Sequence, residues 1–308
     1  MRQAKNFLVL TFAINYAMAL GFYLSGATYS GTTQLIMGVA YMLVPMMVVF
    51  YLGRKQKPTA TLKAFKFFNG FNLWYLMVLL LPITVAFLAL QIGSYMPGVS
   101  ITNDLSGLFA RYADLLTEAE IAEVKTQMAN LPLSPILLAS IQAVVLGATI
   151  NALATFGEEL GWRGYLLHSF RKLNFWRASL YIGIIWGVWH APLILLGHNY
   201  PANPIIGVFM MVAFTTALSP IFNYLMIKTY SILAMSMLHG VLNASAGIAI
   251  FWLAGGTALT VGLAGVAGII ALWLVILAIY IYDRLIAKQN IMSHRISAHI
   301  WQSAHAQE

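Results

Sequence analysis

The run SPILLASIQAVVLGATINALATFG, residues 134–157, decides the fold. It holds no charged residue and is longer than the roughly 20 apolar residues that a membrane-crossing helix needs. It shows none of the period-two alternation of a strand, and lipid admits only helices or closed barrels, so it reads as a helix. Comparable runs stand on both sides of it, at 6–27, 33–53, 72–95, 178–197, 204–227, 230–253 and 257–282. The expected fold is therefore all-α: a polytopic membrane bundle of about eight helices. Pro45, Pro82, Pro192 and Pro220 fall inside these runs and should kink them, with neighbouring helices bonding the freed carbonyls. Composition agrees, because only 8% of the residues are charged and the mean hydropathy is +0.79. A soluble chain needs roughly 25% charged residues to wet its surface.

Orientation follows from the basic residues. Arg2 and Lys5 precede an apolar run too long for a signal-peptide core, so the first run reads as an uncleaved span. With the N-terminus inside, Arg54, Lys55, Lys57, Lys63, Lys66, Arg163, Arg171, Lys172, Arg177, Lys228, Arg284, Lys288 and Arg295 also fall inside. Only Arg111 and Lys125 fall outside. The positive-inside rule thus predicts cytoplasmic termini. The net charge of +8 is spread over these short clusters, which argues for membrane lipid rather than nucleic acid as the partner. The sequence holds no cysteine, which excludes disulfides and thiol chemistry. The sizeable outer segment, 96–133, carries Asp104, Asp114, Glu118, Glu120 and Glu123. There Thr117 and Glu120 have the spacing of a capping box, opening an amphipathic helix through Ile121, Val124 and Met128 that Pro132 closes. We divide the membrane domain into 1–133, a four-helix core at 134–253, and a last span with basic tail at 254–308.

Ionisable groups within spans cost roughly 2.5–3.5 kcal/mol each on insertion scales and so point to function. Three clusters stand out. At the end of the fourth run, Glu159 and Arg163 are four apart and can pair on one helix face, while Glu158 points about 100° away. In the fifth, His190 lies about 18 Å along the span, with Trp186 one turn below it. In the inner half of the seventh, His239 and Asn243 share a face as hydrogen-bonding partners. Each cluster read alone is equally a charged helix end or an interhelical polar clamp. Together they supply a base, an imidazole and two donors, the inventory for adding water to a carbonyl. His168 and His198 read as interface residues.

In order and spacing, Glu158-Glu159…Arg163, Trp186…His190 and His239…Asn243 resemble the motifs of the CAAX protease and bacteriocin-processing family of intramembrane endopeptidases, which includes the type II CAAX prenyl proteases. The resemblance covers roughly 134–253, and Trp186 stands where that family mostly has Phe. It implies that Glu158 and His190 activate water, His239 and Asn243 hold the oxyanion, and Glu159 and Arg163 orient the site. It further implies a membrane-associated peptide or protein-tail substrate and a site towards the cytoplasm. A glutamate-activated water uses every residue without metal, so no cofactor is expected; zinc, if used, would fall to Glu158, His190 and His239. A transporter and a non-catalytic, immunity-type membrane partner are the competing classes. No internal repeat supports a transporter.

Overall fold

In the computed structural model, which describes residues 2–54, 58–102, 106–111, 117–130 and 133–300, helices make up nearly every element. They are α1 (Arg2–Leu24), α2 (Gly31–Leu52), α3 (Pro58–Ala64), α4 (Trp74–Gly93), α5 (Ser106–Arg111), α6 (Glu118–Ala129), α7 (Pro135–Ser169), α8 (Phe175–Leu195), α9 (Pro204–Thr229), α10 (Ile232–Ala244) and α11 (Val266–Ile286). A short antiparallel ladder pairs β1 (Ser100–Ile101) with β2 (Leu253–Ala254). Lys55, Lys57, Asp104, Asp114 and Pro132 lie outside the described residues. Among the described residues, α1, α2, α4, α7, α8, α9 and α11 are long and apolar enough to cross a membrane. The expected polytopic helical bundle is therefore present, with seven such helices in place of eight.

The missing span is the run at 230–253, whose helix is α10, only 13 residues long. The Ser245 hydroxyl bonds back to the Leu242 carbonyl at 2.9 Å and ends the helix. Turns then follow, with Gly255, Gly256 and Gly262 at positive φ. Ile248, Ala249 and Leu253 in this stretch are buried by protein. Irregular backbone survives at membrane depth only under such cover, and apolarity alone does not tell lipid cover from protein cover. The last long helix accordingly starts at Val266 rather than 257.

The fourth run also differs from its expected bounds. It does not stop at 157 but continues as α7 to Ser169, 35 residues in all. Gly157, which read as its end, is instead a close-approach position: a Cβ there would lie 2.4 Å from the Met42 carbonyl oxygen of α2. Glu158 to Arg163 consequently sit inside a continuous helix. Wide π-helical turns at Gly147–Asn151 and Leu160–Leu166 flank the glutamates and shift the direction of the side chains beyond them.

α10 is the central element. It packs against α7 and α4, and its residues from Met235 to Leu242 are buried except the half-buried Met237. A helix that is apolar around nearly its whole circumference belongs in such a position. The closest approach pairs Gly147 of α7 with Gly240, where an added Cβ would lie 2.1 Å from the Gly147 oxygen.

The prolines open backbone acceptors that α1 and α2 fill. Pro45 has no N–H for the Tyr41 carbonyl, which instead accepts from Asn15 Nδ2 at 3.0 Å. Pro192 likewise frees the Val188 carbonyl, which takes the Tyr16 hydroxyl at 2.7 Å. The adjacent Trp189 carbonyl takes the Tyr41 hydroxyl at 2.8 Å. α8 breaks step at His190 as a result.

On α6 the expected capping box is present, with Glu120 N–H to Thr117 Oγ1 at 3.3 Å and Thr117 N–H to Glu120 Oε2 at 2.8 Å. Those Thr117 donors hold the Glu120 carboxyl below the usual range. Ile121, Val124 and Met128 pack on the cluster of Phe109, Trp252 and Leu253, so this helix lies over the bundle.

Gly240→Val should lower stability by at least about 1–3 kcal/mol, the typical cost of overpacking, read as a lower Tm in detergent. A Tm equal to wild type would contradict the contact between α7 and α10.

Candidate active site

Four elements bring the predicted residues together. Glu158 from α7, Trp186 and His190 from α8, and His239 and Asn243 from α10 line one cavity of about 180 Å³, which α9 closes through Met211, Phe214 and Thr215. That volume holds several waters. Glu159 and Arg163 lie behind its wall and are fully buried.

Trp186 is the hub. Its indole N–H donates to Glu158 Oε2 at 2.8 Å, and the Trp162 indole N–H reaches the same oxygen at 3.4 Å. The Arg163 guanidinium lies against both the Trp186 and the Phe222 rings, each centroid 4.2 Å away. Its backbone carbonyl accepts from His190 Nδ1 at 2.8 Å. A carbonyl can only accept, so Nδ1 carries the proton and Nε2 keeps its lone pair. The same ring meets the His239 imidazole edge-on at 5.4 Å.

Glu159 and Arg163 pair as their spacing suggested, with Arg163 Nη1 to Glu159 Oε1 at 3.2 Å. The same carboxylate oxygen takes His239 Nδ1 at 2.9 Å, which fixes that ring and leaves its Nε2 for the cavity side. Glu158 is thereby relieved of ion pairing, and Asn243 is exposed, with no carboxamide hydrogen bond among the described residues. Glu158, His190 and His239 do not form a group able to hold a metal ion among the described residues. Glu158 Oε2 accepts from two indoles, and both Nδ1 atoms donate to acceptors.

One placement differs from expectation. His239 and Asn243 lie in the last turns of α10, not in the half nearest the basic residues. His190 lies well inside α8, as its place in the span suggested, while α2 contributes Gly38, Tyr41 and Met42 and α9 also Leu218.

His198, read as an interface residue, in fact lines the cavity with Asn199. It lies 3.4 Å from the Tyr29 hydroxyl, and burial pulls its pKa down to about 4, keeping it neutral. Past these two residues a second chamber of about 440 Å³ runs to Val261 and Ala264. Tyr41 was missed as well, although a phenol in mid-run is the signal that marks it. For His198 the signal is its place two helical turns beyond His190.

The fold and this cavity define a polytopic α-helical membrane protein with a buried Glu/His/Asn site. Residues 140–245 match the family described as Type II CAAX prenyl endopeptidase Rce1-like. Through that region the chain is similar to the CAAX prenyl endopeptidases. CAAX prenyl protease 2 of Methanococcus maripaludis is similar to it, 30% identical over 204 residues. The alignment covers 64% of each chain, so this chain spans just under two thirds of that relative's length.

Trp186→Phe keeps the ring on Arg163 but removes the bond to Glu158. Turnover should fall by roughly tenfold or more, the worth of one hydrogen bond to a charged group, at near-wild-type Tm. Full activity in Trp186→Phe would show the indole N–H to be dispensable.

Proposed function

We propose that this chain is an intramembrane endopeptidase that cleaves a peptide bond in a membrane-associated peptide or protein tail. The observation that carries the reading is the single cavity shared by Glu158, His190, His239 and Asn243. A water between the Glu158 carboxylate and His190 Nε2 donates one hydrogen bond to each. Glu158 takes its proton as the oxygen attacks the scissile carbonyl. His239, carrying both ring protons against Glu159, and the Asn243 carboxamide donate to the resulting oxyanion. Glu158 then returns the proton to the departing amine, so the water is divided between new acid and new amine. Glu159, Arg163 and Trp186 act through these groups as positioning residues. The relative's name, a CAAX prenyl protease, supports prenylated C-terminal tails as the substrate class.

Cleavage of a farnesylated CAAX peptide by the purified chain in detergent tests the reading. Glu158→Gln should lose about 10²–10⁴ in rate, the usual share of general-base catalysis. Asn243→Ala should lose about 10²–10³, that of one oxyanion donor. Both should fold normally, and turnover in either variant at wild-type rate would sink the assignment. A non-catalytic partner would show no cleavage even in wild type.

The mechanism needs no metal, so wild-type rates should persist after exhaustive chelation. Loss on chelation with recovery on adding zinc would transfer the activation of water from Glu158 to the metal.

We also place the cavity mouth on the face of Asn199, opposite Lys172. This sets two sequence expectations against each other, because basic ends in the cytoplasm would put that mouth on the far side. The absence of cysteine makes labelling clean. A membrane-impermeant maleimide should reach Asn199→Cys and Lys172→Cys from opposite sides of sealed vesicles. Labelling of both from one side would rule the placement out.

A further inference from the structure

Away from the cavity, a groove of about 660 Å³ runs between α4 and α11, within the 300–1,000 Å³ usual for small-molecule sites. Met77, Leu81 and Leu88 form one wall and Leu274, Ala278 and Ile279 the other, with Tyr224 and Leu225 of α9 between them. Its outer rim faces away from the protein: Met77 is 41% and Leu274 49% exposed. From Trp74 to Leu88 the groove follows α4 for about 21 Å by helical rise. That is enough for a lipid chain spanning one leaflet of a hydrocarbon core about 30 Å thick.

The two ends of the groove differ. At the Leu88 end the lining is aliphatic. At the other, Trp74 meets Tyr224 and Tyr282 edge-on at 5.9 and 5.8 Å. Over this collar sits the Lys228 ammonium, 4.6 Å from the Trp74 ring centroid and 5.4 Å from that of Tyr224. Lys228 donates to the Gln289 side-chain oxygen but has no carboxylate within ion-pair distance among the described residues. Asp283, the nearby acid, instead accepts from the Met292 N–H at 3.2 Å. Arg284 and Lys288 line a neighbouring surface hollow, with Asn290 taking an Arg284 N–H at 3.1 Å. An ammonium in no direct ion pair among the described residues, with the Asp283 carboxyl nearby, therefore tops an apolar slot of acyl-chain length. By the positive-inside rule this end faces the cytoplasmic leaflet, where acidic lipids concentrate.

We propose that the groove between α4 and α11 binds one acidic phospholipid, an acyl chain lying along Met77 to Leu88 and the headgroup phosphate on Lys228. The collar of Trp74, Tyr224 and Tyr282 takes the glycerol level, where amphipathic rings settle in membranes. A chain with a neutral headgroup would fill the same slot but offer Lys228 no direct ion pair.

The test measures thermal unfolding and retained lipid by native mass spectrometry in detergent, with added phosphatidylglycerol or phosphatidylcholine of identical chains. Wild type should retain one phosphatidylglycerol and show a higher Tm with it, with a clear preference over phosphatidylcholine. Lys228→Gln should lower that preference about fivefold, the effect of one basic residue at an acidic membrane surface. Ala278→Trp, which fills the slot from an exposed position, should lose retention of both lipids while keeping the lipid-free Tm of wild type. Equal response of wild type to the two headgroups, or an undiminished preference in Lys228→Gln, overturns the proposal. Stabilisation by a farnesylated peptide but not by phosphatidylglycerol would also overturn it, assigning the groove to a different ligand. None of these readouts depends on peptidase activity.

Discussion

A guanidinium kept dry against two aromatic rings organises this protein. Arg163 is fully buried, and its positive charge meets Trp186, Phe222 and one oxygen of Glu159. Isolated, such a charge would be prohibitive in a bundle interior. The flanking rings and the carboxylate compensate it together, and cation–π contact strengthens where water is excluded. Because Glu159 answers both Arg163 and His239, one buried pair couples α7 to α10. Because Trp186 answers Arg163, Glu158 and His190, it couples α7 to α8.

This arrangement divides two adjacent carboxylates into different roles. Glu159 is spent on structure, with a cation and an imidazole at one oxygen. Glu158 receives only indole N–H donors, which are neutral, and faces the cavity. A phenylalanine at position 186 would stack equally on Arg163 but offer Glu158 nothing. The tryptophan therefore changes how the base is held, not merely how the core is filled.

The prolines serve the same site by another route. Each removes a helical N–H and so leaves a carbonyl that must be bonded within the bundle. At Pro45 and Pro192, Asn15 and Tyr16 do this, and with the Tyr41 hydroxyl on the adjacent Trp189 carbonyl they attach α1 and α2 to the end of α8 that holds His190. Asn15 also accepts from the Trp189 indole at 2.9 Å. The two N-terminal helices thus bear on the position of an imidazole far from them in sequence.

The sequence by itself determined the helical membrane bundle, because long uncharged runs admit no other regular structure in lipid. It also determined the Glu159–Arg163 pair and the shared face of His239 and Asn243, because spacing on one helix is a local property. It identified Glu158, His190, His239 and Asn243 among the residues that line the cavity, but not that they meet, since they come from three helices. Only the tertiary structure decided that α10 is a short, protein-covered core helix rather than a span. Only it showed that α7 passes through Gly157, where a missing Cβ serves close packing instead of a helix end. The inclusion of His198 and Tyr41 was likewise a tertiary matter. Apolarity and spacing record what a residue can do along its own helix; which neighbour covers it depends on contacts that chain order does not encode locally.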